Sequence, residues 1–128
     1  MSKDIVKDVC DFMYGTSDEI KYYYDKVTKK FILVSTFNPD NIDEESENLI
    51  SLPDKYDIND YAIMVGFVQT LTNENNANAL ADALRGKSVF QRFKNTLKRL
   101  GIEQDWYKFR DEKYYEIAKD WCNKYGLI

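Results

Sequence analysis

The sequence predicts an α+β domain: an N-terminal helix and a β-hairpin followed by a mainly α-helical C-terminal part. Three observations carry this. A helical apolar spacing opens the chain; two aromatic and β-branched runs flank a polar middle between residues 22 and 36; and from residue 57 onward the apolar spacing is helical again.

The first helix runs over Asp4 to Met13, with Ile5, Val6, Val9, Cys10 and Met13 on one side and Lys7, Asp8 and Asp11 on the other. Gly15 can end it, and Thr16 to Glu19 is turn material. Tyr22, Tyr23 and Tyr24 then form one strand and Phe31 to Thr36 its antiparallel partner, joined near Lys26 to Lys29. No Asn-Gly or Asp-Gly fixes that turn, so its register stays open. Two strands alone are marginal in water, so the hairpin must lay a face on helices or find a third strand, for which Leu49-Ile50-Ser51 is a weak candidate. The acidic stretch Asn38 to Asn48 lacks the central glycine and spaced oxygens of a calcium loop and reads as a solvated loop or short helix, with Asp43 capping a turn.

Asp57, with Asp60 three residues later, has the spacing of a helix cap and first-turn acid. The helix it would open carries Tyr61, Met64, Val65, Phe67, Val68 and Leu71, and Gly66 within it points to a close neighbour. A further helix spans Glu74 to Arg85, burying Leu80 and Leu84, with Gly86 at its end. Ser88-Val89-Phe90-Gln91 has the pattern of a capping box, starting a helix whose Phe90, Phe93, Leu97 and Leu100 share one face. Arg92, Lys98 and Arg99 project from the complementary side, and Lys94 lies nearer its flank. From Glu103 to Tyr125, as one helix or two with a bend near Asp111, Trp106, Phe109, Ile117, Ala118, Trp121 and Tyr125 are available for burial. With no repeat, linker or low-complexity tract, the 128 residues are expected to form a single domain, 1–128.

Bulk chemistry excludes several functions. The chain contains no histidine, so an ordinary Ser-His-acid or Cys-His centre cannot be built. The five glycines are scattered and form no phosphate-cradling loop. Cys10 and Cys122 each sit on an apolar stripe and are expected as buried thiols, ahead of a disulfide or a metal link. Catalytic residues, metal ligands and cofactors are therefore not expected, and an enzyme is the less favoured class. A metal-dependent hydrolase built on clustered carboxylates stays open, because acids distant in sequence can meet in space. No apolar run is long enough to span a bilayer, and Met1-Ser2-Lys3-Asp4 leads into a charged helix rather than a signal peptide, so the expected location is cytoplasmic, away from membranes.

The net charge of −4 conceals an asymmetry. Residues 1–60 hold seven basic and fourteen acidic side chains, whereas residues 85–128 hold eleven basic and six acidic. Arg85, Lys87, Arg92, Lys94, Lys98 and Arg99 follow one another with no acid between them. Together with Tyr107 and Arg110, which lie three apart on the next helix, Arg85, Lys87, Arg92, Lys98 and Arg99 make a candidate basic-aromatic surface. Arginine can grip carboxylate or phosphate with two parallel hydrogen bonds, and tyrosine can stack on a base or fill an interface pocket. A protein partner is the favoured functional reading, which makes the chain an adaptor or regulatory protein-binding domain. Nucleic acid is the second reading, and a plain solvated face competes with both.

Three stretches carry a family likeness: Leu52 to Tyr61 (LPDKYDINDY), Ala83 to Lys94 (ALRGKSVFQRFK), and Trp106 to Lys113 (WYKFRDEK) continuing to Ile117-Ala118-Lys119-Asp120-Trp121-Cys122. Together they resemble the bacterial uncharacterised protein family numbered 158, over most of the chain. The resemblance implies a small bacterial intracellular protein and brings no activity, substrate or catalytic residue with it.

Overall fold

The computed structural model describes residues 4–35 and 47–128. Among them are six helices and three strands: α1 (Ile5–Met13), β1 (Ile20–Asp25), β2 (Lys30–Ser35), β3 (Leu49–Ser51), α2 (Lys55–Ile58), α3 (Asp60–Thr70), α4 (Glu74–Ala83), α5 (Val89–Leu100) and α6 (Glu103–Lys124). The architecture is α+β, as the sequence predicts. The contacts divide into two compact units, Met1–Ile58 with Tyr114–Ile128, and Asn59–Lys113. The last helix is continuous, without the alternative bend near Asp111, and its residues are shared between the two units.

In the first unit, Asp4 caps α1 by accepting from the Lys7 N–H at 3.2 Å, and Val6, Val9, Cys10 and Met13 are buried along one face. The sheet order is β2-β1-β3, so the weakly signalled Leu49–Ser51 segment is a strand, paired antiparallel to β1. The hairpin turn is Lys26 to Lys29, where expected, with Asp25 opposite Lys30 and Tyr24 opposite Phe31. Asp25 supplies the turn chemistry that a glycine would otherwise bring. Its Oδ1 accepts from the N–H groups of Val27 (2.8 Å) and Thr28 (3.2 Å), while Lys29 takes the left-handed conformation at φ 60°. The hairpin meets both of its needs: β3 adds a third strand, and the Phe12 ring of α1 packs at a tilt against Tyr22 and Phe31, with centroids 4.9 and 4.7 Å away. Trp121 from the end of α6 is buried and donates its indole N–H to the Ser51 carbonyl at 2.9 Å. Tyr125, expected in the core, is exposed just past the helix end, though its ring still lies 5.1 Å from that of Trp121.

Two helix starts differ from expectation. Asp57 does not cap α3. It belongs to α2 and returns a carboxylate oxygen to the Asp54 N–H at 3.0 Å, while Asp54 accepts from Tyr56 and Asp57, a reciprocal box one turn earlier in the chain. The cap of α3 is Asn59, whose side chain accepts from the Ala62 N–H and whose φ of 52° suits asparagine better than most residues. Ser88 likewise makes no capping bond. It sits at φ 56°, outside the extended region from which a serine oxygen reaches the first helical N–H groups, and Gln91 instead donates to Asn95 at 3.1 Å.

The second unit is built on an aromatic cluster. Phe67 of α3 lies 5.5 Å from both Trp106 and Phe109 of α6, and Phe93 of α5 lies 5.1 Å from Trp106. Gly66 lies beside this cluster: a Cβ there would meet the Phe109 ring at 3.5 Å, an ordinary van der Waals contact, so the packing does not by itself demand glycine. Tyr61 stays exposed on α3 but ties its hydroxyl to the Leu84 carbonyl at 3.2 Å. The helix α5 ends as its sequence suggests, with Gly101 at φ 71° and the Ile102 N–H reaching back to the Leu97 carbonyl.

Candidate basic surface on the helical hairpin

All seven residues of the sequence-predicted surface fall in the second unit. Arg85 and Lys87 are exposed in the link between α4 and α5, and Lys98 and Arg99 are exposed in the last turn of α5. Arg92 is half-buried and turns toward the end of α4. Its Nη2 donates to the Asp82 carbonyl at 3.0 Å and its Nη1 to the Arg85 carbonyl, so it closes the C-terminal end of α4. A helix end leaves its last carbonyls without intrahelical donors, and a cation is favoured there by the helix dipole. The guanidinium brings the charge, together with a second donor to the Asp82 carbonyl, which also accepts from the Arg85 N–H at 3.2 Å.

The structure brings the candidates together in two pairs. Arg92 and Arg99 line a shallow cavity of about 250 Å³ between α4 and α5, with Asn95 and Thr96 beside them and Ala79 and Ala83 opposite. Tyr107 and Arg110 form the other pair on α6, where the guanidinium lies 5.1 Å from the centre of the tyrosine ring and also pairs with Asp111 at 3.2 Å. That arrangement agrees with the expectation that Tyr107 and Arg110 share a face. It also engages Arg110 with an acid on its own helix.

Sequence reasoning missed one residue of this region. Phe90 was assigned to the core with Phe93 and Leu97, yet only the latter two are buried and Phe90 is 56% exposed. It lies at the edge of the apolar arc, on the side away from Arg92 and Arg99, where successive residues four apart align. Lys94 and Lys98 continue that line. Among the described residues none of Arg85, Lys87, Lys94, Lys98 and Arg99 takes part in a salt bridge. The exposed flank of α5 thus reads Phe90, Lys94, Lys98: one ring and two ammonium groups facing water.

Elsewhere, among the described residues, no three cysteine or acidic side chains gather where they could hold a metal ion, and no helix is long and apolar enough to cross a membrane. Most of the acidic stretch Asn38 to Asn48 lies outside the described residues. Cys10 and Cys122 are both buried thiols. Burial, assisted by the negative charge of Asp4, pushes the Cys122 thiol up from 9.0 to about 11. A thiol held neutral in this way is a packing group rather than a nucleophile.

Comparison with known proteins agrees with the likeness read from the three motifs. The model of the uncharacterised protein family UPF0158 matches residues 4–127. The chain belongs to this family. It is also similar to the UPF0158 protein PA5073 of Pseudomonas aeruginosa, with 28% identity over 108 residues, which cover 80% of this chain and 71% of that protein. No solved structure matches the chain. UPF0158 membership brings no reaction or ligand with it, so the chemistry of the surface has to carry the functional argument.

Proposed function

We propose that this UPF0158 protein is a cytoplasmic bacterial adaptor or regulatory domain that binds an acidic segment of a protein partner along the outer flank of α5. The observation that carries the reading is the exposed line Phe90, Lys94, Lys98, in which an aromatic ring shares one helix flank with two cations that have no salt bridge among the described residues. An exposed phenylalanine loses area to water until something covers it, and aromatic side chains are common anchors of protein interfaces. The lysines would steer acidic side chains to that anchor. The net charge of −4 for the whole chain works against coating a polyanion such as duplex nucleic acid, whereas a local basic flank suits a short acidic peptide.

The test uses the full chain with a photo-crosslinking residue on the exposed face of α5, in the parent, in Phe90→Ala and in Lys94→Glu/Lys98→Glu. The reading requires the same specific protein to be captured by the parent and lost from both variants, with stability unchanged to within about 0.5 kcal/mol, the usual range for surface substitutions. Undiminished capture by both variants would overturn it. So would tight, steeply salt-dependent binding to RNA or DNA that disappears in Lys94→Glu/Lys98→Glu, which would make the flank a phosphate-binding surface instead.

A further inference from the structure

The first unit contains a larger cavity, of about 940 Å³, with no part in the α5 reading. Its volume lies toward the upper end of the roughly 300–1,000 Å³ spanned by small-molecule sites. Part of its lining is aromatic. Phe12 of α1 and Tyr24 and Phe31 of the sheet border it, with the Phe31 ring 4.7 Å from Phe12 and 5.0 Å from Tyr24. Three charged residues line the same space: Lys29 and Lys30 from the end of the hairpin turn, and Asp8 from α1.

These charges are of opposite sign and border one cavity, yet among the described residues none of the three forms a salt bridge. They are therefore open to a bound molecule. The turn that carries the lysines is fastened by the two N–H groups that Asp25 Oδ1 accepts and by the Lys29 N–H, which donates to the Asp25 carbonyl at 2.8 Å. These bonds fix the backbone of the turn before a ligand arrives, which lowers the entropic cost of binding. A lining that combines aromatic rings with two lysines suits a molecule with an apolar body and an anionic head. Among the described residues two lysines and one acid line the cavity, which favours a small anionic head over a cationic one.

We propose that this cavity binds a small amphiphilic monocarboxylate, its apolar body against Phe12 and Phe31 and its carboxylate held by Lys29 and Lys30. Isothermal titration of the full chain with decanoate, decanol and decylamine tests the assignment, because the three probes share a tail and differ only in the head. Decanoate should bind saturably at one site with Kd below about 1 mM, and about tenfold more tightly than either of the others. Lys29→Gln/Lys30→Gln, both at exposed positions where the turn meets β2, should remove that preference while leaving decanol binding and the melting temperature unchanged. Phe31→Leu should weaken decanoate and decanol alike, and if that variant does not fold the lysine variant still decides. Absence of saturation by decanoate, equal binding of the three probes, or a preference for decanoate that survives loss of both lysines would overturn the proposal. None of these measurements involves Phe90, Lys94 or Lys98, so this site and the α5 surface stand or fall separately.

Discussion

Arg92 Nη2 of α5 lies 3.0 Å from the carbonyl oxygen of Asp82 in α4, ten residues earlier in the chain. Its Nη1 bonds the Arg85 carbonyl as well, so one side chain joins α5 to both the last turn of α4 and the link that follows it, adding to the Arg85 N–H that the Asp82 carbonyl already accepts at 3.2 Å. Arg92 thereby ties α5 to the end of α4. Arg92→Ala is expected to lower stability by about 1–2 kcal/mol in urea denaturation, the scale of charge-assisted hydrogen bonds at a partly exposed site. Arg92→Lys should recover less than half of this, since an ammonium cannot reproduce the planar fork. Arg99→Ala, on the same flank, should stay within about 0.5 kcal/mol of the parent. Equal effects at positions 92 and 99 would show that the two carbonyl bonds contribute nothing.

Gly86 makes the same contact testable from the other side. It sits at φ 83°, where a side chain is strained, and a Cβ there would lie 3.4 Å from Arg92 Nη1. Gly101 has a similar φ of 71° but nothing within 4 Å. Both alanine substitutions should cost about 1–2 kcal/mol for the left-handed backbone, and Gly86→Ala should cost more than Gly101→Ala. The excess should vanish when Arg92→Ala is added, which a double-mutant cycle measures.

Trp121 ties α6 to β3. Its indole N–H donates to the Ser51 carbonyl at 2.9 Å, and the ring is buried. Trp121→Phe keeps an aromatic ring but removes the donor, and is expected to cost about 1–3 kcal/mol through the unmet carbonyl and the lost volume. Hydrogen exchange at Leu49–Ser51 should rise in this variant more than exchange in the Phe67–Phe93–Trp106 cluster of the other unit. Uniform acceleration throughout the chain would contradict a local tie.

Most of the elements were legible because they depend on short-range pattern. Val6, Val9 and Met13 recur at helical spacing, the runs around Tyr23 and Val34 flank a polar turn, and Gly101 stops α5 where it should. The parts that were not legible depend on partners distant in sequence or on a single dihedral angle. Leu49–Ser51 is too short to declare itself and becomes a strand only because β1 offers it an edge. Ser88 has the residue pattern of a capping box and the wrong φ to make one. Asn59, not Asp57, starts α3 because Asp54 has already engaged Asp57. At the candidate surface, the charge pattern marks the basic segment but does not show that Arg92 bonds the Asp82 and Arg85 carbonyls, which come from the end of α4 and the link after it. Phe90 lies at the margin of the apolar arc, where helical periodicity alone does not decide between core and water.

Cys122 provides a pH signature for the first unit. The thiol is fully buried, and its pKa rises from an ordinary 9.0 to about 11 because burial penalises the thiolate and Asp4 adds a negative charge nearby. Between these values the unfolded chain gives up the thiol proton while the folded chain keeps it. The unfolded state then binds fewer protons, so stability falls with rising pH. The contribution is intact below about pH 9 and is lost as pH climbs toward about 11. Lysine and tyrosine side chains titrate in the same range, so the informative quantity is a difference: the urea midpoint of the parent should fall more steeply between pH 8.5 and 10.5 than that of Cys122→Ala. Cys122→Ala should also be less stable than the parent at pH 7, because it opens a small cavity at a site with no exposure. The two curves should therefore converge as pH rises. Parallel curves would mean that the thiol titrates alike in the folded and unfolded chain, and that burial does not hold it neutral.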